Sequence, residues 1–226
     1  MRFFSSHWQL LALTAVLFAL WHTPVVVPLK ILIVFLHEFA HAAAAWLTGG
    51  SVEQISLSPD QGGFTITRGG NRFAILSAGY LGSLLIGVVL LMLALRSDAD
   101  RLVTGALGLI LLLVTALYVR DIFAATFCIA TGAGLLGMAR FLGHAPNDMA
   151  LRVIGLGSLI YVPFDIFDDT IARAGLPSDA HMLGAEFGRP TVLWGAIWLA
   201  LSLAVIFGCL RYILGRDTNL RFDRTT

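Results

Sequence analysis

Long apolar runs broken by short polar connections dominate the chain. Runs long enough to cross about 30 Å of hydrocarbon, about 20 residues each, fall at 8–27, 29–48, 73–95, 102–119, 122–142, 150–169 and 191–214. The pattern predicts an all-α polytopic membrane protein with about seven transmembrane helices. Six or eight stay open, because only Arg120 and Asp121 separate the fourth and fifth runs, which requires a very tight hairpin or a partly re-entrant segment. Glycines inside the runs, such as Gly79, Gly82, Gly105, Gly108 and Gly132, fit close helix packing in lipid, where small residues let backbones approach.

One connection has a different period. Between residues 51 and 70, Ile55 and Leu57 alternate with polar neighbours, Ser58 to Gly63 carries turn chemistry, and Phe64 and Ile66 alternate again. This reads as one short β-hairpin. A lone hairpin is marginal in water, so it must pack on the bundle. Ile55, Leu57, Phe64 and Ile66 are candidate substrate-binding positions, since an extended peptide could add to the free edge by main-chain hydrogen bonds. A plain surface connection explains the same pattern.

Composition narrows the class. Of 226 residues, 58% are hydrophobic and 13% charged, with mean hydropathy +0.84, whereas an ordinary soluble domain is about 25% charged. No stretch between the runs has room for a second, soluble domain, which leaves any regulatory module to a separate chain. The net charge of +1, with basic residues scattered, gives no reason to expect a nucleic-acid partner. Cys128 and Cys209 both lie in apolar runs and read as small buried hydrophobes. Residues 1–27 resemble a signal peptide at first sight, but show no small-x-small cleavage site and run straight into the next span. They are expected to remain as a first helix. In alternate connections six Lys and Arg face nine, a weak bias towards a cytoplasmic C-terminus.

The chemistry concentrates in His37-Glu38-Phe39-Ala40-His41, inside the apolar run from Pro28 to Leu47. On a helix, residues four apart share a face, so two imidazoles can hold one metal ion while Glu38 reaches a water on it, the zinc-peptidase arrangement. Ionisable groups at the bilayer centre cost about 2.5–3.5 kcal/mol each and are kept where they do chemistry or transport. Hydrolytic zinc generally takes three protein ligands, so a third is needed. His22 reads as interfacial, His7, His144 and His181 fall in termini or connections, and Asp121 sits in a turn. Asp165 and Asp169 share a face in the sixth run, with Asp168 adjacent. Asp165 is the deepest of the three, and Pro163 is expected to loosen the helix before it. Asp165 is therefore the expected third ligand, against the alternative that all three aspartates mark a polar helix end.

HEFAH in a transmembrane helix resembles the metal helix of the site-2 protease family of intramembrane zinc metallopeptidases, in its compact bacterial-type branch without a soluble domain. The likeness extends through Ala42 to Gly50, the hairpin, Ser77-Ala78-Gly79-Tyr80-Leu81-Gly82, Asp165 to Asp169, and Ser178-Asp179-Ala180. It covers about residues 29–214. The resemblance implies Zn2+ held by His37, His41 and an aspartate matching Asp165, with Glu38 as catalytic acid/base. It also implies a transmembrane protein substrate and a place in a bacterial cytoplasmic membrane. The expected division is a first helix over 1–27, a metallopeptidase domain over 28–215 and a polar tail over 216–226. One departure stands out. Well-studied members carry Asn-x-x-Pro ahead of an Asp-Gly pair, whereas here Pro163 is two residues before Asp165, no asparagine precedes it and Ile166 follows.

Two rival readings use the same residues. A catalytically inactive or weakly active relative would bind transmembrane segments without cutting them, but has no chemical need to keep Glu38. A transporter or channel predicts inverted repeats or further acids across several helices, and neither is present in the sequence.

Overall fold

A computed structural model describes residues 2–172, 177–215 and 217–220. The chain runs α1 (Arg2–Leu20), a 3-10 turn (Pro24–Val26), α2 (Val27–Leu47), β1 (Ser51–Leu57), β2 (Gly63–Arg68), α3 (Arg72–Arg96), α4 (Asp100–Tyr118), α5 (Ile122–Phe141), α6 (His144–Phe167), a π-helical turn (Asp168–Ala172), α7 (Asp179–Phe187) and α8 (Thr191–Ile213). The architecture is that of an all-α polytopic membrane protein carrying one hairpin. Among the described residues six helices are long and apolar enough to span: those at Pro24–Leu47, Arg72–Arg96, Asp100–Tyr118, Ile122–Phe141, His144–Ala172 and Thr191–Ile213. The seventh expected span, 8–27, is not one helix. Its apolar stretch Phe4–Leu20 is shorter, and the chain turns at Thr23, ahead of Pro24, which cannot continue the backbone hydrogen-bond ladder.

α3 is the centre of the bundle, with α2 and α6 as its main neighbours, and α4 pairs with α5. The tight α4–α5 connection is a genuine hairpin. Asp121 caps α5 by accepting from Ala124 N at 2.7 Å, and Ser56 Oγ donates to its other oxygen at 2.8 Å. This residue, read as a turn position, therefore ties α5 to the β-hairpin. Gly108 and Gly132 let the two helices meet: a Cβ on Gly108 would lie 2.8 Å from the Gly132 carbonyl oxygen.

β1 and β2 pair antiparallel, from Ser51 with Arg68 to Leu57 with Gly63, with a bulge between Val52 and Gln54. Ile55 is 0% exposed and Leu57 4%, both packed into the core, while Phe64 and Ile66 are 50% and 42% exposed. Ile55 also bridges Val119, so part of the outer edge of β1 is occupied. Of the four candidate substrate positions, the inner pair is thus packing.

Pro163 lies inside α6 without ending it, and the widening comes later, at Asp168–Ala172. At the end of the bundle holding the α6 N-terminus, buried Arg152 donates from Nε to Asp148 at 2.7 Å and from Nη1 to the Thr218 carbonyl at 2.5 Å. His7 meets Thr218 Oγ1 at 2.9 Å, which joins α1 to the segment after α8. The expected tail 216–226 lies mostly outside the described residues, as do Arg173, Arg216, Arg221 and Arg224 of the charge count.

Candidate metal centre and active site

α2 forms because residues 27–47 are apolar with no interior glycine, and Pro28 falls in the first turn, where its missing N–H costs nothing. On this helix His37 and His41 lie one turn apart, ring centroids 4.7 Å from each other. His41 Nδ1 lies 2.7 Å from the Ile75 carbonyl oxygen. Only a protonated Nδ1 can make that bond, so the lone pair of the neutral ring is left on Nε2. Room for both rings comes from Gly79: a Cβ there would lie 2.6 Å from His41 Nε2 and closer still to His37 Nε2.

The third group arrives on α7. His37 Nε2 and His41 Nε2 lie 3.0 and 3.1 Å from one and the same oxygen, Asp179 Oδ2. Among the described residues, the potential ligand atoms within 4.8 Å of one another belong to His37, His41 and Asp179. Asp165, the expected third ligand, is not in that group. It lines the same cavity. The grouping has a physical basis: α7 folds back onto α3 and delivers its first residue to the histidines. Ser178 caps α7 through the His181 N–H at 3.2 Å, Arg72 Nε donates to Glu186 at 2.9 Å, and Phe73 packs edge-on against Phe187 at 5.6 Å. Burial alone would lift the Asp179 carboxyl, but His41 and His37, by charge and hydrogen bonding, hold it well below the usual carboxylate range.

These three groups fit a zinc ion. Two imidazole nitrogens and one carboxylate oxygen are a borderline-soft donor set with room for a fourth ligand. Tetrahedral bonds of about 2.0–2.1 Å put ligand atoms about 3.3 Å apart, close to the spacings found to Asp179. The outer partner of His41 and the space left by Gly79 are those such an ion needs.

Glu38 is 4% exposed. Thr65 Oγ1 lies 2.8 Å from its Oε2 and 3.0 Å from its own carbonyl oxygen, so the hydroxyl proton is shared between them. The hairpin passes so close that a Cβ on Gly63 would sit 2.7 Å from Glu38 Oε1. His37, Glu38, His41 and Asp179 share a cavity of about 590 Å3, also lined by hairpin residues Asp60 to Ile66 and by Tyr80, Tyr161, Asp165 and Asp169. Phe64 and Ile66 are thus the two candidate hairpin positions that reach the cavity.

A bundle of membrane-spanning helices with a two-histidine, one-aspartate cluster and a neighbouring glutamate defines a membrane protein of metallopeptidase type. The profile of the Peptidase M50B-like family matches residues 10–209. The chain belongs to that family, which bears out the likeness to the site-2 proteases. No curated protein and no solved structure gives a significant match.

One signal in the sequence points to Asp179. Ser178-Asp179-Ala180 stands in an ordered set of matching segments, and a serine before an acidic first turn is a helix-start signature.

Proposed function

We propose that this chain is an intramembrane zinc metalloendopeptidase that hydrolyses peptide bonds in or near transmembrane segments of protein substrates. The observation that carries the reading is the convergence of both Nε2 atoms on Asp179 Oδ2, with Glu38 in the same cavity. When bound there, zinc supplies Lewis acidity, polarising a carbonyl and bringing the pKa of a water to about 7.

The rest belongs to the protein. His41, fixed by Ile75, and His37 present their Nε2 lone pairs, and Asp179 offsets part of a dication's charge. Glu38 takes the proton from the attacking water and returns it to the leaving amine. Thr65 holds the Glu38 carboxylate in one orientation. Strand β2 covers it from above, and the polar cavity wall admits water to a site otherwise enclosed by apolar helices. A helical substrate hides its carbonyls in hydrogen bonds, so it must unwind before attack. Phe64 and Ile66, facing the cavity from β2, are placed to touch the unwound segment.

Purified protein in detergent tests this through bound zinc and cleavage of a model transmembrane peptide. Glu38→Gln is expected to keep zinc and lose cleavage, Asp179→Ala to lose both, and Asp165→Ala to keep zinc. Cleavage surviving Glu38→Gln would reject the mechanism. Zinc lost in Asp165→Ala but kept in Asp179→Ala would restore the ligand set read from the sequence.

A further inference from the structure

Tyr80 stands beside His37 at the edge of the centre, with its hydroxyl turned to Asp169. It is 1% exposed, and its ring stands edge-on to His37, centroids 4.8 Å apart and planes at 84°. Trp198 of α8 backs it at 5.3 Å. Its hydroxyl donates to Asp169 Oδ2 at 2.8 Å. Asp169 belongs to the π-helical turn at the end of α6, on the stretch of chain that leads to Asp179. The next residue, Thr170, is buried and donates from Oγ1 to the Ile166 carbonyl at 2.6 Å. It presses on α8 where Gly195 has no side chain: a Cβ there would overlap Thr170. The turn is thus held from two sides, by Tyr80 of α3 and by the α8 backbone.

A π-helical turn widens the backbone, is rare, and frequently occurs at functional sites. Here it directs the chain out of α6 ahead of the third ligand. We propose that Tyr80 and Asp169 are positioning residues for the metal centre, the ring setting the plane of His37 and the hydroxyl–carboxylate bond fixing the turn from which α7 carries Asp179 to the histidines. The inference rests on the metallopeptidase reading and extends it: this side chain aligns ligands from two separate segments, α2 and α7.

The role has a size. Outer partners that orient metal ligands typically contribute 10–100-fold in metal affinity. Tyr80→Phe keeps the ring against His37 and removes only the hydroxyl. It is expected to weaken zinc binding 10–100-fold, measured against a buffered zinc series, and to change the visible absorption of the cobalt-substituted protein, which reports ligand geometry independently of cleavage. Asp169→Ala should do the same, while Asp169→Asn, which retains an acceptor for the hydroxyl, should restore affinity to near the native value. That rescue separates positioning from general support of the fold, and the Asp169 pair decides the matter should Tyr80→Phe fail to fold. Native zinc affinity and an unchanged cobalt spectrum in Tyr80→Phe and Asp169→Ala would overturn the inference and leave the metallopeptidase reading intact. A native protein that takes up neither metal would overturn both.

Discussion

Gly79→Ala adds one methyl group at the most crowded point of the centre. In the native geometry that carbon would lie 2.6 Å from His41 Nε2 and nearer to His37 Nε2, where an ordinary contact needs about 3.5–4.0 Å. At least one ring must therefore retreat by about 1 Å, against the roughly 0.2 Å latitude of a metal–ligand bond. His41 cannot rotate away cheaply, because its Nδ1 is tied to Ile75. The expected loss in zinc affinity is at least at the top of the range for misoriented ligands, about 100-fold, or about 2.8 kcal/mol. Zinc titration in detergent measures it, with Gly134→Ala as control. Nothing lies within 4 Å of a Cβ at Gly134, and alanine there is expected to leave zinc affinity unchanged. Native zinc affinity in Gly79→Ala would refute the placement of the two imidazoles against α3.

Two further outcomes follow from the same geometry. Thr65→Val removes the hydroxyl that lies between the Glu38 carboxylate and carbonyl; zinc content should not change, while kcat falls about 10-fold or more with little change in KM, as steady-state cleavage of a model peptide would measure. Removing zinc with a chelator leaves α7 tied to α2 only by the contacts of Asp179 with the two histidines and should lower the thermal midpoint, by an amount equivalent to about 2.7 kcal/mol relative to protein held at zinc 100 times its Kd; an unchanged midpoint would argue against a metal joining α7 to α2.

The helices of the bundle were legible because apolar runs of spanning length are a strong one-dimensional signal, and the hairpin because its period of two interrupts them. The two-histidine face of α2 was equally plain, since helical spacing alone puts residues 37 and 41 together. The carboxylate that meets the two histidines was not. Depth in an apolar run favours Asp165, but depth does not measure nearness to the two histidines. Asp179 lies instead at the start of a nine-residue helix between polar stretches. Its approach to the histidines depends on contacts between α7 and α3 that are far apart in sequence, Arg72 with Glu186 and Phe73 with Phe187. The reading of 8–27 as one span failed for a local reason. Pro24 was visible, but hydrophobicity counted over a window passes through a proline that the backbone does not.

The bond between His41 and the Ile75 carbonyl couples two helices mechanically. A slide of α2 along α3 by even a fraction of a turn would pull the imidazole round and spoil its aim. The bond therefore favours the two helices moving together, and on the proposed function an opening for substrate falls to the hairpin that borders the cavity.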